Sequence, residues 1–131
     1  MRLDRLRFVD EQPMHYVSTY IPLLLCPALV EMDVEHGSLY TLLRERFVLV
    51  VRSGRRTVEA VAAQPPLTAL LGVRRGAPLL RMESISYLAS GRPLEYYEAW
   101  LDGKQSRFEI QMVVDAPVHA GDGERVHSPF A

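Results

Sequence analysis

Side chains able to bind an anion are the most informative chemical feature of this sequence. Arg5 and Arg7 are two positions apart in a run typical of a β-strand, so both are predicted to lie on one face. Two neighbouring guanidinium groups repel each other unless an anion or a carboxylate lies between them. Ser38 is predicted to cap a helix whose free N–H groups attract anions, and Tyr40 would add a phenol nearby. The alternatives are a solvated edge paired with Asp4, Asp10 or Glu11, and simple packing over the first helical turn.

A carboxylate on a second predicted strand extends this set. Glu95 and Tyr97 share one face of the run 94–101, whereas Tyr96, Glu98 and Trp100 share the other. A glutamate beside aromatic rings on a half-buried sheet could accept hydrogen bonds from a polar ligand. A packed face with a solvated glutamate is an equally good interpretation.

Other kinds of chemistry find little support. No Gly-x-Ser-x-Gly elbow, Walker loop or dinucleotide-binding pattern occurs, and the four histidines lack the short spacing of metal ligands. Cys26 stands between Leu25 and Pro27, where a buried and inert thiol is expected. The sequence therefore predicts no metal, no cofactor and no catalytic residues.

Composition indicates one soluble domain. The 131 residues are 48% hydrophobic and 24% charged, and 15 basic against 16 acidic residues give a net charge of −1. A module that binds DNA by itself usually has a basic surplus, so direct DNA binding is not expected. One cysteine suits a reducing cytoplasm, and the longest apolar stretch, residues 21–30, is about half a membrane span.

Periodicity predicts an α+β fold with a mostly antiparallel sheet in residues 1–114, followed by a tail at 115–131. A helix should begin after Ser38, a second should run from about Pro66 to Leu71, and a short one is possible near 28–32. The predicted strands are 6–9 and 14–20 as a hairpin, 47–52 and 57–63 as separate strands, and a meander of 79–88, 94–101 and 107–114.

Six segments, in their order along the chain, resemble the UTRA (UbiC transcription regulator-associated) domain. This domain is the effector-binding half of HutC-type regulators in the GntR family. The resemblance covers about residues 5–114. Its segments are Arg5-Leu6-Arg7, Gln12-Pro13 with Ile21-Pro22, Ser38-Leu39-Tyr40-Thr41-Leu42-Leu43, Thr57-Val58-Glu59-Ala60, residues 70–80 around Gly72 and Gly76, and Gly91-Arg92-Pro93-Leu94-Glu95-Tyr96-Tyr97-Glu98-Ala99-Trp100.

The resemblance implies a chorismate-lyase-like α+β fold, a small-molecule pocket and a homodimer. It also implies that DNA is bound only by a winged helix-turn-helix domain, which this chain lacks, and that ligand binding alters operator affinity. Carried over to this sequence, the residues that line the pocket are Arg5, Arg7, Ser38, Tyr40 and Glu95.

Departures from the family pattern bear on the ligand. Val17 stands where a glutamate is frequent, Ser84 where an arginine is common, and residues 101–106 differ from the usual Tyr-Arg-Gly-Asp-Arg-Tyr. Compared with the family pattern, this sequence has fewer polar side chains that could hydrogen-bond sugar hydroxyls. We therefore expect a smaller or more apolar anion, such as a carboxylate metabolite, rather than an aminosugar phosphate. Two alternatives stay open: a dimerisation module without ligand, and a chorismate-lyase-like enzyme using Arg81 or Arg5 with Glu95 or Glu83.

Overall fold

The computed structural model describes residues 1–34 and 37–114, and it contains one five-stranded antiparallel sheet. Its strand order is β1-β2-β5-β4-β3, so β1 and β3 are the edges and β5 is central. The elements are β1 Arg2–Val9, β2 Gln12–Tyr20, a 3-10 helix Pro27–Glu31, α1 Leu39–Phe47, β3 Val51–Ala62, α2 Leu67–Leu71, β4 Pro78–Leu88 and β5 Pro93–Asp102. The α+β antiparallel class is confirmed, and the predicted tail 115–131 lies outside the described residues.

Two predicted hairpins are confirmed. β1 and β2 are joined through Asp10 and Glu11, whose φ angles of 47° and 64° are the positive values that a two-residue type I′ turn needs. β4 and β5 pair antiparallel and are joined through Gly91, with a φ of 81°. Gly91 and Asp10 are residue types that tolerate the left-handed region, whereas Glu11 adopts it without that intrinsic preference.

The prediction of two strands divided at Ser53–Gly54 is wrong, because β3 runs unbroken through these residues. Gly54 allows β3 to approach β4 closely, because a Cβ at this position would lie 3.1 Å from the carbonyl oxygen of Ile85. Phe47 was predicted both as the last residue of the helical stripe after Ser38 and as the start of the first strand, and it is the last residue of α1.

The third meander strand, predicted from Arg107 to Val114, is also wrong. Only Gln111 forms a bridge, and Ile110, Met112 and Val114 are 53%, 80% and 90% exposed. A third meander strand would need an unpaired edge of β5. In this sheet β2 pairs with one edge of β5 and β4 with the other. The alternation of apolar residues thus indicated an amphipathic segment, but it did not show whether a neighbouring strand was available for pairing.

Both predicted helices are confirmed, and each covers an apolar cluster. Ser38 caps α1 by accepting a hydrogen bond from the Thr41 N–H at 3.4 Å, and Gly72 ends α2 with a φ of 63°. Leu39 and Leu43 bury α1, while α2 packs its apolar side on β2. The cluster under α1 comprises Ile21, Cys26, Leu29, Leu39, Leu43 and Leu94, and the cluster at α2 comprises Ala63, Leu71 and Leu79. No helix in the described ranges is long and apolar enough to cross a bilayer.

Candidate functional site

Strand register places three of the five predicted residues, Arg5, Arg7 and Glu95, on one face of the sheet, which we term the site face. Arg5 lies opposite Val17 in the β1–β2 pair, Val17 opposite Ala99 in the β2–β5 pair, and side chains alternate along every strand. The polar or charged residues that this register assigns to the site face are Arg5, Arg7, His15, Thr19, Arg56, Ser84, Ser86, Glu95 and Tyr97.

The centre of the site face is a buried glutamate that Tyr40 reaches from α1. The Tyr40 hydroxyl donates a hydrogen bond to Oε2 of Glu95 and lies 3.4 Å from Oγ of Ser86. Ser86 is the Cα partner of Glu95 across β4 and β5. Glu95 is only 4% exposed, so this contact holds its carboxyl group in a fixed position. Two of the five residues predicted from sequence are therefore in direct contact.

Burial is the largest influence on the pKa values of Glu95 and Tyr40. It raises the pKa of Glu95, although the Tyr40 hydrogen bond and the charges of Arg5 and Arg56 act in the opposite direction. Burial followed by the nearby Glu95 charge raises the pKa of Tyr40 as well, so at neutral pH the phenol keeps its proton and acts as the donor. The pair supplies an acceptor and a polar hydroxyl to anything bound beside it.

Arg5 is the second element of the site. Its Nε is buried and has no hydrogen-bond partner among residues 1–34 and 37–114. Burial, and then the charge of Arg7, lower the pKa of Arg5, whereas attraction to Glu95 raises it. One of the predicted alternative partners, Asp4, lies on the opposite face, where it pairs with Arg2 at 3.0 Å and accepts a hydrogen bond from Ser18 at 2.6 Å. Pairing with Asp4 therefore does not account for Arg5.

Arg7 extends the positive charge toward the hairpin end of the site face. It is exposed, and its Cα partner on β2 is His15. Burial and the charge of Arg7 both lower the pKa of His15, so the imidazole is held in its neutral form at pH 7. His15 is a residue that the sequence did not single out for this site, because a lone histidine carries no ligand pattern.

Ser38 is the predicted residue whose observed contacts are with its own helix. It caps α1 and lines a depression of about 310 Å³ together with Gly37, Thr41 and Glu45. Within the described chain, no hydrogen bond joins Ser38 to Glu95 or to either arginine of β1. The structure thus brings Arg5, Arg7, Tyr40 and Glu95 to one face and leaves the role of Ser38 as a prediction.

Arg56 and Ser86 are site-face residues that the sequence did not reveal. Arg56 lies on β3 opposite Ser84, and its Cζ is 5.6 Å from the centroid of the Tyr97 ring on β5. Its strand was predicted as two pieces, which concealed its register. A usable signal existed for Ser86: serines alternate with Ile85 and Tyr87, as expected where a buried face is polar.

The opposite face carries a separate ionic network around Arg81. Its guanidinium lies 2.5 Å from Glu59 and 2.9 Å from Glu83, and it also donates to Glu98. Arg81 is therefore on the other side of the sheet from Glu95. This geometry is incompatible with the pairing of Arg81 and Glu95 considered for an enzyme. The described residues include no group of three His, Cys, Asp or Glu side chains arranged to hold a metal ion.

Comparison with known proteins establishes the family. Residues 1–107 match the UTRA domain. The probable fructoselysine utilization operon transcriptional repressor of Escherichia coli strain K12 is 33% identical over 96 residues, which cover 73% of this chain and 40% of the repressor. A GntR-family transcriptional regulator of Enterococcus faecalis V583 has a similar structure, with a TM-score of 0.72 and 25% identity over 84% of this chain and 78% of that one.

A third similarity concerns the fold. The effector domain of PhnF from Mycobacterium smegmatis superposes with a TM-score of 0.81 at 22% identity, covering 86% of this chain and 69% of that domain. The chain described here belongs to the UTRA domain family, and its relatives are transcriptional regulators. It spans about two fifths of the length of the curated repressor that it matches.

Proposed function

We propose that this chain is the effector-binding domain of a GntR-type, HutC-subfamily regulator, and that its site face binds a small anionic metabolite. In this proposal it acts as a cytoplasmic homodimer without catalytic activity. Binding changes the operator affinity of a winged helix-turn-helix domain that lies outside residues 1–131. The observation that carries the proposal is the buried Nε of Arg5, which has no hydrogen-bond partner in the described part of the chain, beside the Glu95–Tyr40 hydrogen bond.

Physical chemistry supports an anionic ligand. A buried guanidinium N–H without a partner costs free energy, and a carboxylate or phosphate oxygen would satisfy it with a charge-assisted hydrogen bond. The same anion would lie between Arg5 and Arg7, since the charge of Arg7 on the same strand face lowers the pKa of Arg5. Tyr40 and Glu95 would then contact the polar, uncharged part of the ligand.

The class of anion follows from the side chains beside Arg5. Val17 and Ala99 flank it across β2 and β5, and neither can hydrogen-bond a sugar hydroxyl. A small carboxylate therefore suits this end of the face better than an aminosugar phosphate. Because the relative from Escherichia coli is named for a fructoselysine operon, sugar-derived ligands need to be tested beside carboxylates.

A thermal-shift screen tests the proposal directly. The panel contains aliphatic and aromatic carboxylates, phosphosugars, amino acids and inorganic phosphate. A ligand present at one hundred times its Kd stabilises the domain by about 2.7 kcal/mol, which raises Tm by several degrees. Loss of the shift in Arg5→Gln and Tyr40→Phe is the expected result.

Arg2→Gln is the matched control for Arg5→Gln. Arg2 is on the same strand, but its side chain points to the opposite face and pairs with Asp4. The control should keep the ligand-induced shift. Tight binding of an aminosugar phosphate would refute the carboxylate preference. Failure of every anion to shift a well-folded dimer would favour the dimerisation module, and turnover of chorismate followed by absorbance would favour an enzyme.

A further inference from the structure

His15 shares the site face with the two arginines of β1. It is the Cα partner of Arg7 in the β1–β2 pair and of Leu101 in the β2–β5 pair. Residues directly opposite each other on antiparallel strands have Cβ atoms about 4.5–5.5 Å apart, and a diagonal neighbour such as Arg5 lies about 7–8 Å away. One oxyanion can therefore come within reach of Arg5, Arg7 and His15 together.

A β-bulge lies next to this group of three residues. The register of the β1–β2 pair shifts between Arg7 and Phe8, so Met14 has no partner on β1. Counted toward the hairpin turn, His15 is consequently the last residue of β2 that pairs in regular register with both neighbouring strands. Bulges bend a strand and redirect its side chains, and they are frequent beside binding sites.

Without a ligand, the surroundings of His15 disfavour its charged form. The imidazole is half-buried, and both burial and the charge of Arg7 lower its pKa. β1 contributes Arg7 and, diagonally, Arg5, whereas β5 contributes the uncharged Leu101, and α2, which packs on β2, contains no titratable residue. Glu95 lies six residues from Leu101 along β5, or about 20 Å. Within the described residues, neither Arg7 nor His15 forms a hydrogen bond or an ion pair.

We infer that His15 is a further effector-binding residue, which takes up one proton from solvent when an anion binds beside Arg7 and then donates a hydrogen bond to that anion as an imidazolium. The inference rests on the proposed function and deepens it, because effector affinity should then increase as pH falls. A negative charge within about 4–6 Å favours the protonated ring and offsets the repulsion from Arg7. The resulting hydrogen bond is charge-assisted on both sides.

NMR titration of the imidazole C–H signals measures the protonation of His15 directly. The signal that disappears in His15→Gln identifies it among the four histidines. The probes are lactate, benzoate and inorganic sulfate, which stay ionised throughout the titration, together with any carboxylate that binds in the thermal-shift screen. At saturation, a bound probe should raise the pKa of His15 by about 1 or more. By linkage, the unmodified chain should bind that probe about five- to tenfold more tightly at about pH 5.5 than at about pH 8, measured by calorimetry.

Three variants assign the pH dependence. His15→Gln keeps a hydrogen-bonding side chain without a titrating group and should lose most of the dependence. The dependence that remains in His15→Gln is assigned to Glu95, which has a raised pKa and also titrates. Arg7→Gln should raise the pKa of His15 in the ligand-free chain. Arg2→Gln is its matched control, because Arg2 is on the same strand but faces the other side of the sheet, and it should leave the ligand-free pKa of His15 unchanged.

The outcomes distinguish this inference from the function on which it rests. A change of less than about 0.3 in the pKa of His15 while a probe binds would overturn the role of His15. An unchanged pH dependence in His15→Gln, shown by circular dichroism to be folded, would overturn it as well. Binding of the probe would still support the anion-sensing function in both cases. If no probe and no anion of the thermal-shift screen binds the unmodified chain at either pH, both the role of His15 and the anion-sensing function are wrong.

Discussion

Replacing Arg5 by Met should stabilise the ligand-free domain while abolishing anion binding. Met preserves most of the aliphatic stem, and it removes the buried Nε that lacks a hydrogen-bond partner in the described chain. An unsatisfied buried donor costs about 1–3 kcal/mol, and the change also relieves repulsion from Arg7. A binding residue that is unfavourable without its ligand is expected at a functional site.

Loss of the attraction between Arg5 and Glu95 opposes this gain. The loss is limited, because Glu95 keeps its hydrogen bond from Tyr40 and the nearby charge of Arg56. Its raised pKa also makes protonation of the carboxyl group easier than for an exposed glutamate. We therefore expect a net increase of about 1 kcal/mol in the free energy of unfolding, or about 4 °C in Tm.

Urea denaturation at pH 7, followed by circular dichroism, measures this change without ligand. The m-value should stay constant, because the surface exposed on unfolding is nearly the same. Arg7→Met is the control: Arg7 is exposed, so its replacement should change stability by less than about 0.5 kcal/mol. A decrease of more than about 1 kcal/mol for Arg5→Met at constant m-value would refute the reasoning and make Arg5 a structural residue.

Three further predictions concern the contacts around α1. Tyr40→Phe removes the donor to Glu95, so the pKa of Glu95 should rise further, measured by carbon-13 NMR titration, and stability should fall by about 1–2 kcal/mol. The folded-state pKa of Glu95 is already raised, so the chain loses stability as pH rises from about 4 through that pKa. Glu95→Gln removes this loss. Urea titrations should therefore show that the stability of the variant relative to the unmodified chain is higher at pH 7 than at pH 4. Leu43→Ala should cost about 2–5 kcal/mol in thermal or urea unfolding, because Leu43 is fully buried, whereas Leu24→Ala, at 93% exposure, should cost little.

Each of these predictions can fail in a defined way. An unchanged Glu95 titration in Tyr40→Phe would mean that the hydrogen bond does not set the carboxyl pKa. If the stability of Glu95→Gln relative to the unmodified chain falls as pH rises from 4 to 7, the assigned direction of the pKa shift is reversed. Equal losses for Leu43→Ala and Leu24→Ala would contradict the packing of α1 on the core.

The local elements could be predicted from sequence because their signals are local. The β1–β2 hairpin, the Ser38 cap and the helix stop at Gly72 each depend on a few adjacent residues whose backbone preferences agree. The UTRA domain could be identified because six segments, each weak by itself, occur in the family order with suitable gaps. Alternation on β1 and β5 also placed Arg5 with Arg7, and Glu95 with Tyr97, before any pairing was known.

Strand pairing, by contrast, was decided only by the tertiary structure. Apolar alternation in residues 107–114 predicted a strand, yet β2, from the far end of the sequence, occupies the edge of β5 that it would have needed. The same long-range pairing brings Arg56 of β3 across Ser84 toward Tyr97 and gathers Arg5 beside Glu95. Sequence periodicity specifies which side chains share a face of one strand. Which strands lie side by side depends on burial summed over the whole sheet, and no single segment encodes it.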